Sequence, residues 1–91
     1  ETMDLNTQLL SVFPNPSSGI TCIPIASKFG SNGSLKLYDL QGRLIETIFE
    51  GPISQGEHRY YLHADQYPAG TYLIEWHSDY KVERQQLIIQ R

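Results

Sequence analysis

Turn-forming clusters interrupt this sequence about every 8–12 residues, and short apolar-rich runs fill the gaps, the pattern of an antiparallel β-sandwich or barrel. Seven runs are legible: Leu9–Pro14, Ile20–Ile25, Ser34–Leu40, Arg43–Glu50, Glu57–Ala64, Gly70–His77 and Lys81–Gln90. No window sustains helical spacing with caps, so little helix is expected. The apolar set agrees, with nine Ile, ten Leu, two Val, six Tyr, three Phe and one Trp against three Ala. Helices favour Ala and straight-chain residues, whereas pleated surfaces favour β-branched and aromatic ones. Ninety-one residues make one domain, which buries a little over ~60% of the surface its unfolded chain exposes. Cys22 is the lone cysteine, so packing rather than an internal disulfide must hold the fold, and its place is that of a small buried hydrophobe in a strand.

The turns carry the clearest local chemistry. Pro14-Asn15-Pro16-Ser17-Ser18-Gly19 ends the first run, because neither proline donates to a ladder. Pro16 presets φ for a turn, and Asn15 is placed to accept from the backbone two residues on. Asp39-Leu40-Gln41-Gly42 predicts a type I turn closed by a left-handed glycine. Tyr67-Pro68-Ala69-Gly70 repeats the logic, with proline second and glycine fourth. Pro24 argues that the second strand lies at an edge or ends there.

Alternation assigns faces. Tyr72, Ile74 and Trp76 share one, opposite Thr71, Glu75 and His77; Tyr60, Leu62 and Ala64 share another, opposite Glu57, Arg59 and His63. Leu35 and Leu37 share a third, with Tyr38 opposed. Leu87-Ile88-Ile89 is apolar on both faces, as suits a strand covered on both sides or one that meets a partner.

Several function classes fall away. Net charge is −3 with both signs scattered, and no basic stripe for nucleic acid exists. Neither a signal peptide nor a membrane-length apolar run is present; the chain begins with Glu1 and reads as a piece of something longer. His58 and His63 sit five apart on one predicted strand, hence on opposite faces, and His77 lies on another beside Glu75, so no metal site or cofactor is expected. Ser, His and Asp form no nucleophile elbow or other catalytic motif, and a small sandwich offers little room to exclude water. An enzyme is not expected.

Phe13-Pro14-Asn15-Pro16, then Leu37-Tyr38-Asp39-Leu40-Gln41-Gly42-Arg43-Leu44-Ile45, then Pro68-Ala69-Gly70-Thr71-Tyr72-Leu73-Ile74 resembles the type A C-terminal sorting domain of type IX secretion cargo, the Por secretion family. Lys81 and the run Leu87-Ile88-Ile89-Gln90-Arg91 look like that family's basic residue and final apolar strand. The match spans roughly residues 11 to 91. Its specificity lies in the ordered set, since no single motif is diagnostic. One departure is Arg84-Gln85-Gln86 where the family commonly carries more lysine.

The resemblance implies an immunoglobulin-like sandwich of about seven strands. It also implies cargo that crosses the periplasm and then leaves through a dedicated outer-membrane translocon that recognises this domain. A sortase-like outer-membrane protease then removes the domain and often anchors the cargo at the surface. On this reading residues 1–10 are a linker from upstream cargo and 11–91 the sorting domain. The motif residues Pro14, Asn15, Pro16, Gly19, Tyr38, Asp39, Gly42, Pro68, Gly70 and Tyr72 are mainly structural. Tyr72 either hydrogen-bonds back to the corner before it or is a buried ring with its hydroxyl at the surface. Translocon recognition is assigned to Lys81, Leu87, Ile88, Ile89, Gln90 and Arg91, through a strand edge or a terminal carboxylate. Cleavage is assigned to Asn6, Thr7, Gln8, Leu9 and Leu10, within Glu1–Leu10, the one extended accessible segment, ahead of Val12. The competing readings are an immunoglobulin-like accessory or spacer module that binds polysaccharide or protein through Tyr60, Tyr61, Tyr67, Tyr80 and Trp76, and a weak homodimer formed on the bare edge of a terminal strand.

Overall fold

The computed structural model describes residues 7–79 and 81–91. Its strands are β1 (Thr7–Leu9), β2 (Ile20–Ser27), β3 (Ser31–Asp39), β4 (Leu44–Ile53), β5 (Gly56–His63), β6 (Gly70–Ser78) and β7 (Val82–Ile89), with one 3-10 turn at Ala64–Gln66. They form two antiparallel sheets, ordered β1-β2-β5 and β4-β3-β6-β7. The outcome is a sandwich, not a barrel. In the constant-type immunoglobulin arrangement the fourth strand joins the first sheet; here β4 lies at the edge of the other.

The assigned faces hold. Tyr72, Ile74 and Trp76 point inward with Leu62, Ala64, Leu35 and Leu37, joined by Ile23 and Ile25 of β2. In β7 the ambiguity resolves: Leu87 and Ile89 are buried while Ile88 is 40% exposed. The fully buried Trp76 is the largest core side chain. Its indole N–H donates to Thr7 Oγ1 at 3.1 Å, because a buried donor left unmet loses its water bonds for nothing. Gly33 makes room for the ring, since a Cβ there would lie 2.2 Å from the indole.

Two expectations are corrected. Pro24 sits inside the central strand β2, paired with Arg59 of β5, rather than at an edge. Its carbonyl accepts from Leu10 N–H at 2.9 Å, so the same side of the residue, where an N–H would be, faces β1. The missing donor stops the β1–β2 ladder there and leaves the β5 side intact. For the same reason the first strand is Thr7–Leu9 rather than Leu9–Pro14, with only an isolated bridge, Phe13 to Cys22, beyond it. Residues 7–9 of the supposed linker are therefore sheet, and Glu1–Asn6 lie outside the described residues. β4 shows no clean alternation, because its pairing with β3 shifts register twice.

Thr7→Val keeps the shape but removes the acceptor of the buried indole, and is expected to lower unfolding free energy by about 1–3 kcal/mol. Gly33→Ala forces the indole aside and is expected to lower it by about 1–3 kcal/mol. Urea unfolding checks both; unchanged midpoints would show that this corner of the core tolerates slack.

Candidate functional site

Strand polarity gathers the scattered motifs at one end of the sandwich. Asp39, last in β3, pairs with Tyr72 near the start of β6, and Gly70 pairs with Ile89 at the end of β7. Ser17 bridges Ile89 in parallel, and Ala64 N–H donates to Gly19 C=O at 2.8 Å. The proline turn, both glycine corners and the last residues thus share one surface.

The β3–β4 turn is built around a single carboxylate. Asp39 Oδ1 accepts from Gln41 and Arg43 N–H, each at 2.9 Å, and Oδ2 pairs with Arg43 Nε at 2.8 Å. Gly42 N–H closes the turn onto Asp39 C=O at 3.1 Å, with φ of +85°, a conformation that favours glycine. The backbone hydrogen bond from Arg43 holds the Asp39 carboxyl below its usual range; burial opposes this and the Arg43 guanidinium reinforces it. At the facing corner Tyr72 Oη donates to Pro68 C=O at 2.7 Å, so the first of the two alternatives for this ring, the tyrosine corner, is realised. A groove of about 390 Å³ runs between turn and corner, walled by Asp39, Leu40, Ile45, Tyr67 and Pro68. Arg91 ties the chain's last residues to this corner, donating to Tyr67 C=O at 2.6 Å.

The outer edge of β7 is not bare. Asn15 does not close its own turn; its Nδ2 donates to Gln86 C=O at 2.7 Å and its Oδ1 accepts from Ile88 N–H at 3.0 Å. Ser17 N–H donates to Ile88 C=O and Gln90 N–H to Ser17 C=O, both at 2.8 Å. Further along, Glu83 Oε1 accepts from Leu9 N–H and Gln85 Oε1 from Val12 N–H. Gln85 Nε2 donates to Leu10 C=O at 2.6 Å, supplying the bond that Pro24 cannot make. Glu83 and Gln85 escaped the sequence reading. The signal was there: alternation puts both on the same face as buried Leu87 and Ile89, and inward-pointing polar residues mark a managed edge.

The recognition set divides. Leu87 and Ile89 are core, whereas Ile88, Gln90 and Arg91 are exposed at the motif end. Lys81 lies at the opposite end, 3.7 Å from Glu83 Oε1 and ~26 Å from Ile89 along an extended strand. Of the residues assigned to cleavage, Thr7 and Leu9 are buried in β1, Leu10 is half-buried, Gln8 is exposed, and Asn6 is outside the described residues. The segment is less accessible than its composition suggested, because β2 and β7 both hold it. The described members of the aromatic set do not assemble into a platform. Trp76 is buried, Tyr60 packs on Phe49 at 4.8 Å between ring centroids, Tyr61 is exposed, and Tyr80 is outside the described residues.

The histidines disperse. His58 bonds to Ser54 C=O, and His77 to Glu75 at 2.7 Å in the other sheet from His63. Burial pushes the Glu75 carboxyl up, but hydrogen bonds from Arg84 and His77 outweigh it and hold the carboxyl low. Among the described residues no three His, Cys, Asp or Glu side chains are grouped to hold a metal.

Because the folded Asp39 has the lower pKa, its stabilisation is full above the unfolded value of about 3.9 and fades as pH falls through the folded one. Asp39→Ala is expected to lower the thermal midpoint at pH 7, with the gap narrowing below about pH 4. A gap that stays constant from neutral to acid pH would mean the carboxylate charge does not hold the turn.

The family model for the secretion system C-terminal sorting domain matches residues 11–90, which covers every strand from β2 to β7 and leaves β1 outside. No curated protein matches the chain. A domain of that kind is a secretion tag and not a known catalytic family. The ordered motifs, the seven-strand sandwich and the near full-length match agree: the chain belongs to the secretion system C-terminal sorting domain family, the sorting signals of type IX secretion.

Proposed function

We propose that the domain works as a folded export signal read at its motif end, and that it performs no chemistry of its own. Membership of the family carries the general role, interaction with type IX machinery and export to the outer membrane or cell surface. The finer reading rests on one observation: the proline turn, the Asp39 turn, the Pro68 corner and Gln90-Arg91 converge on one surface. A receptor that touched this end would sense correct folding, because the surface exists only when both sheets are assembled. The cargo crosses the periplasm, leaves through the outer-membrane translocon, and is then cut from the domain by a sortase-like protease, to be anchored or released. The cut falls on the N-terminal side of Val12.

Residues 1–91 fused to an inert periplasmic reporter, in a cell with a type IX system, are expected to carry the reporter to the surface or medium. Deleting Gln90-Arg91 is expected to abolish export while the strand signature in circular dichroism persists; Lys81→Ala, at the far end, is expected to leave export unchanged. Export that survives the deletion would remove the terminus from the recognition surface. Mass spectrometry of the released reporter locates the cut, and a cut after Gly19 would overturn its placement.

A further inference from the structure

Residues 9–17 run alongside β7 as a strap, and the strap joins two places that matter for export. At one end it meets Gln86, Ile88 and Gln90, whose outward backbone groups bond to Asn15 and Ser17. At the other it continues into β1, which is three residues long and includes much of the segment assigned to cleavage. A strand so short has little hold of its own. Among the described residues only Thr7, Gln8 and Leu9 make a regular ladder with β2. Beyond them isolated backbone bonds, Leu10 N–H to Pro24 C=O and the Phe13–Cys22 bridge, hold the chain to β2, while Glu83 and Gln85 meet the Leu9 and Val12 N–H groups and the Leu10 C=O.

The attachment is suited to release. Its bonds run through side chains of Glu83, Gln85 and Asn15 and through isolated backbone pairs with β2 and β7, rather than through a regular ladder. Pro14 and Pro16 prevent a continuous one. Phe13, Pro14, Asn15 and Pro16 are all exposed. Release would leave β7 with a row of unpaired backbone groups, the kind of edge that accepts an added strand.

We infer that the strap is a latch that couples the outer edge of β7 to the accessibility of the cleavage segment. An extended peptide segment of the export machinery, adding to β7 parallel to it along Gln86–Gln90, takes the place of Asn15 and Ser17. Displacement loosens Leu9–Val12 and unzips β1, which delivers Thr7–Leu10 to the protease. The strap and the added strand compete for the same groups, so occupancy of the edge and closure of the junction are linked equilibria. Cutting then follows engagement rather than preceding it. The latch rests on the sorting reading for its biological meaning, although its physical coupling does not.

Hydrogen exchange on the 91-residue chain tests the coupling. Asn15→Ala, and separately deletion of Gln90-Arg91, are expected to speed exchange of the Leu9, Leu10 and Val12 amides on the order of tenfold. The Leu37 and Ile74 amides in the central strands are the control and should not change. Gln85→Ala, which removes the partner of the Val12 amide and of the Leu10 carbonyl directly, gives the reference for local opening at Val12. Unchanged exchange at residues 9–12 in the first two variants, or acceleration shared equally by the central strands, overturns the latch. In the reporter fusion, Asn15→Ala is expected to be cut sooner than the unaltered domain, and an unchanged rate of cutting also overturns it. Export of the unaltered fusion is scored separately: its failure removes the sorting reading, and exchange alone then decides the latch.

Discussion

A sheet edge is a row of backbone donors and acceptors that must be met by water, by another chain or by the same chain. In this sandwich the last strand's edge is met along Gln86–Gln90 by Asn15 and Ser17, and further back the strand's own Glu83 and Gln85 side chains reach the backbone of Leu9, Leu10 and Val12. The other features follow from that seam. It fixes where the proline turn sits, brings the chain's last residues beside the Pro68 corner, and supplies polar partners where Pro24 breaks the β1 ladder. It also holds Thr7 against the indole of Trp76, so the seam and the core are closed by one segment.

The motif residues of the family turn out to be corner-makers. Asp39 satisfies two backbone donors and a guanidinium, Gly42 takes the left-handed turn position, and Tyr72 clamps Pro68. Each shapes the end of the sandwich where Gln90 and Arg91 lie. A signal built from corners is present only in the folded state, because a turn carboxylate and a tyrosine clamp bring their partners together only when the strands they join are in register. That is the physical basis of the proposal that the tag is read in its folded form.

Much of the fold was legible beforehand because strands with one buried face write their period into the sequence. Leu35 with Leu37, Leu62 with Ala64, and Ile74 with Trp76 all fall inward as alternation requires. Turn chemistry was legible for a local reason: an Asp at the first position and a glycine at the fourth dictate geometry within four residues. Two readings failed where the deciding partner is remote. Pro24 looked like an edge residue because proline lacks a donor, yet Gln85, more than sixty positions away, makes good the lost bond at Leu10. Residues 7–10 looked like linker because three-residue pairing leaves no periodic trace.

Local chemistry therefore determined six of the seven strands, the inward faces of β3, β5 and β6, the Asp39 turn and the family. Those properties depend on neighbours along the chain, and the information for them is in the residues themselves. Only the tertiary structure decided which edges are closed, that Lys81 and Arg91 stand at opposite ends, and that the N-terminal segment fastens the C-terminal strand. Such facts depend on which groups meet across more than seventy residues of chain. Hydrogen-bond pairing at that range is chosen by how the two sheets pack, which no short stretch of sequence specifies.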